Sequence, residues 1–266
     1  MIYQTILLEI KEDVATIWLN RPEVRNAFNH ITITELIAVF KELGNYENLR
    51  AVIIRGKGKS FCAGADLNWM RAVKDFTFEQ NLQESLDLSE CLYTIYTFDK
   101  PVISVVHGAA IGGANGIIAA SDIAICEENT IFSLSEVKIG IIPACISPYV
   151  IKRVGEPRAR ELMLTGKRIK GAEAEKYNLV NHSLPETEIE NYLNDTVRFL
   201  KEAGPKAVSR CKSLIYNVIN EIPLQDALEY TARMIAQQRI TQEAQEGMSA
   251  FLEKRSPAWI QNTEDQ

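Results

Sequence analysis

A carboxylate set among apolar residues, as Glu136 is in the stretch IFSLSEVKIGIIPACISPYV (131–150), invites proton chemistry. Apolar surroundings disfavour the charged form, raise the pKa and suit the group to proton transfer near neutrality. Upstream stand two glycine-bearing turns, FCAGADL (61–67) and IGGANG (111–116), each after an apolar run that reads as a buried strand. Small residues leave backbone N–H groups uncovered, and a helix start offers N–H groups with no internal partner. Two such turns converging on one carbonyl oxygen would make an oxyanion hole, with Glu136 as its acid or base. Taken singly, each piece has a plainer reading. IGGANG could be tight helix–strand packing, FCAGADL a structural turn with Asp66 in the first turn of a helix, and Glu136 an N-cap partner or surface charge.

Other chemistries fall away. RGKGKS (55–60) follows a strand, but a phosphate-binding P-loop needs Gly where Ile53 stands, and no helical pattern follows Ser60. There is no GxSxG elbow, and Cys62 has no base visible in the sequence, so covalent catalysis is not indicated. The three histidines, at 30, 107 and 182, lack metal-ligand spacing. Five cysteines (62, 91, 126, 145, 211) form no CxxC pair and read as reduced thiols in a cytoplasmic-type compartment.

The elements that must position these residues alternate. Strands are predicted at 5–10, 14–19, 51–55, 102–106 and 122–126, and helices at 32–43, at 78–96 and from about Gly112. That alternation predicts an α/β architecture. After about residue 186 the pattern is helical, with Pro205 and Pro223 near helix starts. The run from Pro101 to Asp122 carries no charge before its last residue, a length that approaches a membrane span. Its opening proline and clustered glycines favour a buried strand, a turn and a buried helix instead. With 266 residues the chain can bury a large core, and a net charge of −6 gives no case for nucleic-acid binding. MIYQTILLEIKED has no basic n-region, so no signal or transit peptide is expected.

In this order the pieces resemble the enoyl-CoA hydratase/isomerase (crotonase) family. The resemblance runs through NRPEVRNAFN (20–29), FCAGADL, HGAAIGGANG (107–116), SDIAIC (121–126), SEVKIGIIP (135–143), and FLEKRSPAW (251–259). It implies a spiral of ββα units over residues 1–200 and a C-terminal helical trimerisation region over 201–266, assembled as a homotrimer or homohexamer. It also implies a CoA thioester substrate with no metal or redox cofactor. Ala63 and Gly113 match the family's two N–H donors, and Glu136 its proton-transferring glutamate. Candidate substrate contacts are Arg21, Arg25 and Lys59 for the CoA phosphates, and Ala65, Asp66, Leu67, Gly112 and Gly116 along the two turns. Lys254 is expected to serve CoA across a subunit contact.

One position departs from the two-glutamate hydratase pattern: Gly116 stands where those enzymes carry their first glutamate. Single-glutamate members include isomerases. A narrower resemblance, through AGADLNWM (63–70), LSEVKIGIIPACISPYV (134–150) and Gly116, is to bacterial 3-methylglutaconyl-CoA hydratases. It implies a substrate with a distal carboxylate, for which Arg71 is the nominated partner; the alternative for Arg71 is an exposed helix arginine. An isomerase or decarboxylase of the same fold and an inactive oligomeric scaffold remain the competing readings.

Overall fold

The computed structural model describes residues 2–260. It begins with a hairpin of β1 (Ile6–Lys11) and β2 (Val14–Leu19), followed by α1 (His30–Leu43) and β3 (Ala51–Gly56). Next come α2 (Leu67–Val73), α3 (Phe78–Thr97), β4 (Val102–Val106) and β5 (Ala109–Ile111). They lead to α4 (Ala114–Ala120), β6 (Ile123–Glu127), β7 (Ile131–Ser133) and α5 (Ser147–Thr165). Then β8 (Arg168–Lys170), α6 (Gly171–Lys176) and β9 (His182–Leu184) close the sheet-bearing part. The remainder is α7 (Glu186–Glu202), α8 (Pro205–Asn220), α9 (Leu224–Arg239) and α10 (Gln242–Glu253).

Six strands form one sheet in the order β1-β2-β3-β4-β6-β9, parallel except for the β1–β2 hairpin. A second sheet has the order β5-β7-β8. All of β4 and nearly all of β3 are buried, as expected of central parallel strands covered on both faces. Every residue of α4 is buried too, which explains the uncharged run: its helix lies inside the protein. Among the described residues no helix is long and apolar enough to cross a membrane. Helix starts follow local capping: Asn29 accepts from Thr32 N–H at the head of α1, and Thr77 and Gln80 form a reciprocal capping box on α3. α5 is interrupted at Gly155, whose φ of +75° only glycine adopts readily, two residues before Pro157.

The α/β expectation holds, and the predicted longer strands and helices are present. The three-residue strands β5, β7, β8 and β9 were not anticipated, because so short a run carries no readable alternation. Chain contacts divide the protein into two compact units. One runs to Glu190 without residues 99–101, and the other comprises 99–101 and the described residues from Asn191 onward. That division lies inside α7, whereas the resemblance implied a boundary at residue 200.

In the second unit, helices α8–α10 pack on one another, and Arg255 ties the chain after α10 back through a two-pronged pair with Glu246 at 2.6 and 2.9 Å. Large apolar residues of the C-terminal helices remain largely uncovered: Leu224 is 88% exposed, Leu228 79% and Phe251 82%.

Candidate active site

The site grows from two peptide planes. In a trans peptide the C=O and N–H point in opposite directions, so capturing one carbonyl aims the following N–H the other way. In the first turn Phe61 and Cys62 donate to His107 O and Ala109 O, laying this segment along β5. Gly64 O accepts from Phe28 N–H at 2.7 Å, and Phe28 O from Asp66 N–H at 2.7 Å. The Ala65 N–H therefore points away from Phe28; it has no acceptor among the described residues, and Ala65 is exposed. Glycine is required at 64, where φ is +96° and a Cβ would sit 3.1 Å from Ile111 O.

Ala63 is different. Its N–H donates to Arg25 O at 2.9 Å, so it is not free to hold a ligand's oxygen. The expected donor at Ala63 is corrected to Ala65, two residues on. Sequence reading missed this because both alanines flank Gly64, and what separates them is a partner from the 21–28 loop.

In the second turn Gly112 O accepts from both Asn115 N–H (2.9 Å) and Asn115 Nδ2 (3.0 Å), which turns the Gly113 N–H outward, again without an acceptor among the described residues. Phe28 joins the two turns. Its backbone bridges Ala65, and its ring lies 3.7 Å from where a Cβ on Gly113 would be. Asn115 is fully buried, and its amide also donates to Ala110 O and Ser133 O. It is the residue that sequence reasoning left without a role; the signal was an amide in an otherwise apolar run. Such an amide is kept buried by the carbonyls it satisfies.

Glu136 follows β7 by three residues and opens a short 3₁₀ turn. Ser133 O accepts from Gly112 N–H at 2.8 Å, which brings the Glu136 segment against the second turn. The Glu136 Oε1 lies 3.1 Å from the position of a Cβ on Gly112, and Oε2 is buried without a hydrogen-bond partner among the described residues. Burial pushes its pKa above the usual carboxylate value, as the apolar sequence context predicts. A buried carboxyl oxygen with no partner among the described residues, close to a turn with an outward N–H, is an arrangement chemically suited to proton transfer.

The other candidates divide. Arg21 pairs with Asp66 at 2.7 Å and also donates to Ala27 O, so its guanidinium is committed within the protein rather than open to a phosphate. Asp66 caps α2 through Asn68 and Trp69 N–H. Burial raises its pKa, but the Arg21 and backbone hydrogen bonds outweigh that and hold it below the usual value. Its role is structural, as the plainer reading had it. Leu67 and Arg71 are exposed on α2, with Arg71 bonded to Asn68 at 2.9 Å. Arg25 and Lys59 are exposed on the neighbouring loops. Lys254 caps α10 with φ +55° in the second unit.

Gly116 faces protein. A Cβ there would lie 2.5 Å from Ile146 Cγ2 and 3.1 Å from Leu92 Cδ1, so Ile146 fills the space a side chain at 116 would take. The expected substrate contact at Gly116 is therefore replaced by a packing contact. A cleft of about 300 Å³ opens beside the first turn, lined by Arg21, Asn29, His30, Ile31, Asp66, Asn68 and Trp69. Among the described residues no group of three or more His, Cys, Asp or Glu could hold a metal ion.

Fold and site together define a class: an α/β spiral with two backbone N–H groups left without acceptors at its glycine turns, and a carboxyl with a buried oxygen beside the second of them. The model of the enoyl-CoA hydratase/isomerase family matches residues 9–262, and the chain belongs to that family. Its crotonase fold is shared with solved structures. An enoyl-CoA hydratase from Shewanella pealeana superposes with a TM-score of 0.92 at 37% identity, covering 96% of each chain. Pseudomonas aeruginosa AtuE gives 0.93 at 33% identity, covering 97% of this chain and all of that one. The short-chain-enoyl-CoA hydratase of Clostridium acetobutylicum is 31% identical over 97% of this chain and 98% of its own.

Proposed function

We propose that the protein catalyses reversible addition of water to an enoyl-CoA. The single observation that carries this reading is the Glu136 carboxyl. It is buried with Oε2 unpartnered, and its Oε1 lies over Gly112, whose peptide presents the Gly113 N–H. The Ala65 and Gly113 N–H groups would bind the thioester oxygen and strengthen their hold as it becomes enolate-like. Glu136 would deliver a proton to the carbon next to the thioester in hydration and remove it in the reverse direction. No step of this chemistry calls for a metal or redox group.

The finer proposal is a branched glutaconyl-CoA substrate such as 3-methylglutaconyl-CoA, supported by AGADLNWM, LSEVKIGIIPACISPYV and Gly116. Arg71, exposed on α2, is the proposed partner of its distal carboxylate. Turnover of a panel of straight-chain, branched and carboxylated enoyl-CoAs tests both levels. Hydration of the branched glutaconyl member above the rest is expected, and hydration of straight chains alone would remove the finer proposal. A single-glutamate isomerase is the second reading, favoured by Ile146 filling the space beside Gly116. Double-bond migration in a 3-enoyl-CoA without hydration would establish it.

A homotrimer or homohexamer is proposed as the working form. The exposed Leu224, Leu228 and Phe251 support it, since apolar stripes of this kind are buried by a partner surface. In that assembly Lys254 would reach a neighbouring subunit's CoA. Sedimentation equilibrium decides it; a single species of 29.9 kDa, the mass of one chain, would defeat the proposal.

A further inference from the structure

Hydration needs a group to take a proton from the attacking water. Glu136 is assigned to the carbon next to the thioester, and position 116 offers no carboxylate. The packing of three helices shows where another stands. Gly116 of α4 lies level with Leu92 of α3 and Ile146 at the head of α5. Farther along, Tyr96 of α3 meets Tyr149 of α5 edge-on at 5.3 Å, and Arg153 of α5 donates to Ser121 O just past α4. The three helices therefore run in the same direction.

Moving back along α4 from Gly116 to Gly113 covers about 4.5 Å, and moving back along α3 from Leu92 to Glu84 covers about 12 Å. Glu84 thus lies farther toward the heads of these helices than Gly113 does. It shares a helix face with Leu88 and Leu92, at intervals of four residues. A second contact fixes it from the other side. Trp69 Nε1 donates to Glu84 Oε2 at 2.5 Å, and Trp69 belongs to α2, the helix that starts directly after Ala65 and Asp66. Oε1 of Glu84 has no partner among the described residues. Neighbouring carboxylates are otherwise engaged: Asp66 with Arg21, and Asp87 with Gln83 and, at 3.8 Å, His30.

We propose that Glu84 is the second carboxylate of the site, tethered by Trp69 above the two N–H donors, where it takes the proton of the attacking water. The step rests on the hydratase reading and balances as follows. The water oxygen bonds to the β-carbon, and one water proton passes to Glu84. The double-bond electrons move toward the thioester, whose oxygen is held by Ala65 and Gly113 N–H. Glu136 then gives its proton to the α-carbon. Glu84 ends protonated and Glu136 ionised, and proton exchange with solvent resets both.

The test compares two reactions of the full chain. Glu84→Gln keeps an oxygen for Trp69 and nearly the same volume but cannot accept a proton. Hydration of an enoyl-CoA that the wild type turns over is expected to lose about 10²-fold in kcat with little change in KM. Exchange of the α-proton of the saturated acyl-CoA into deuterated water, followed by NMR, needs only Ala65, Gly113 and Glu136 and should stay near the wild-type rate. Glu84→Asp, which restores a carboxylate, should recover part of the hydration. Undiminished hydration in Glu84→Gln, or equal loss of both reactions in Glu84→Gln and Glu84→Asp, would overturn the proposal. A wild type that exchanges α-protons but hydrates no enoyl-CoA would instead overturn the hydratase reading beneath it.

Discussion

The two glycine turns reach the same end by different routes. At 111–116 the carbonyl behind the donor is captured locally, because Gly112 O is held by the backbone and side chain of Asn115, three residues on. At 61–67 it is captured from a distance, because Gly64 O is held by Phe28 N–H and the competing Ala63 N–H is absorbed by Arg25 O. Local capture is written in the motif itself, and the resemblance implies Gly113 as the donor there. Distant capture is not, and the reading of the first turn slipped by two residues. An exposed N–H becomes a functional donor only when something fixes the carbonyl behind it.

Changes at and beside the second turn should produce the largest effects. Glu136→Gln keeps the shape of the carboxyl and removes the proton, so turnover is expected to fall on the order of 10²–10⁴ while acyl-CoA still binds. Steady-state kinetics with isothermal titration of an acyl-CoA checks both halves. Because burial raises the Glu136 pKa, its protonated form persists above the usual carboxylate range. Hydration, which uses that form, should decline as pH rises through the raised value, and dehydration should decline as pH falls through it. A pH profile in which Glu136→Gln keeps the same limb would assign the limb elsewhere.

One turn along α4, Gly116→Ala sharpens the contrast between packing and chemistry. Its Cβ would press on Ile146 and Leu92, and overpacking of this kind costs about 1–3 kcal/mol. Thermal unfolding should register that loss. In the double variant with Ile146→Ala the losses should fall short of additive, as for residues in contact. For the same reason Gly116→Glu is expected to destabilise the fold rather than create a two-carboxylate site.

The smallest effect concerns the thiol buried in the first turn. Cys62 is fully buried, with its Sγ 3.8 Å from Gly64 O, and burial pushes its thiol up to about 12. Cys91 and Cys126 are pushed up likewise, whereas Cys211 is exposed. A thiol reagent should therefore label Cys211 promptly and Cys62 only on unfolding. Prompt labelling of Cys62 in the native protein would mean that the first turn is less closed than its hydrogen bonds imply.

Much of the fold was legible because its signals are local. β3 and β4 are continuous apolar runs, α1 and α3 carry amphipathic spacing, and Pro205 stands at the first position of α8. The short strands β5, β7, β8 and β9 were illegible, being defined by partners rather than pattern. In the site, Glu136 stands out by its apolar context and Gly113 through the family resemblance. The family resemblance made Arg21 and Asp66 candidate ligand contacts, and only three dimensions reveal that they satisfy one another. Glu84 carried no sequence signal, since its place depends on the common direction of three helices and on Trp69.

The central claim is that Ala65 and Gly113, not Ala63, supply the donors. It is tested most directly by replacing a single backbone amide with an ester, which deletes the N–H and leaves the side chain unchanged. An ester at position 65 should lower kcat by about 10²–10³, the typical loss of one oxyanion-hole donor. An ester at position 63 should remove the hydrogen bond to Arg25 O, weaken the one that Cys62 O accepts from Ile111 N–H, and leave kcat close to wild type. The reverse pattern, with activity lost at 63 and kept at 65, would contradict the account.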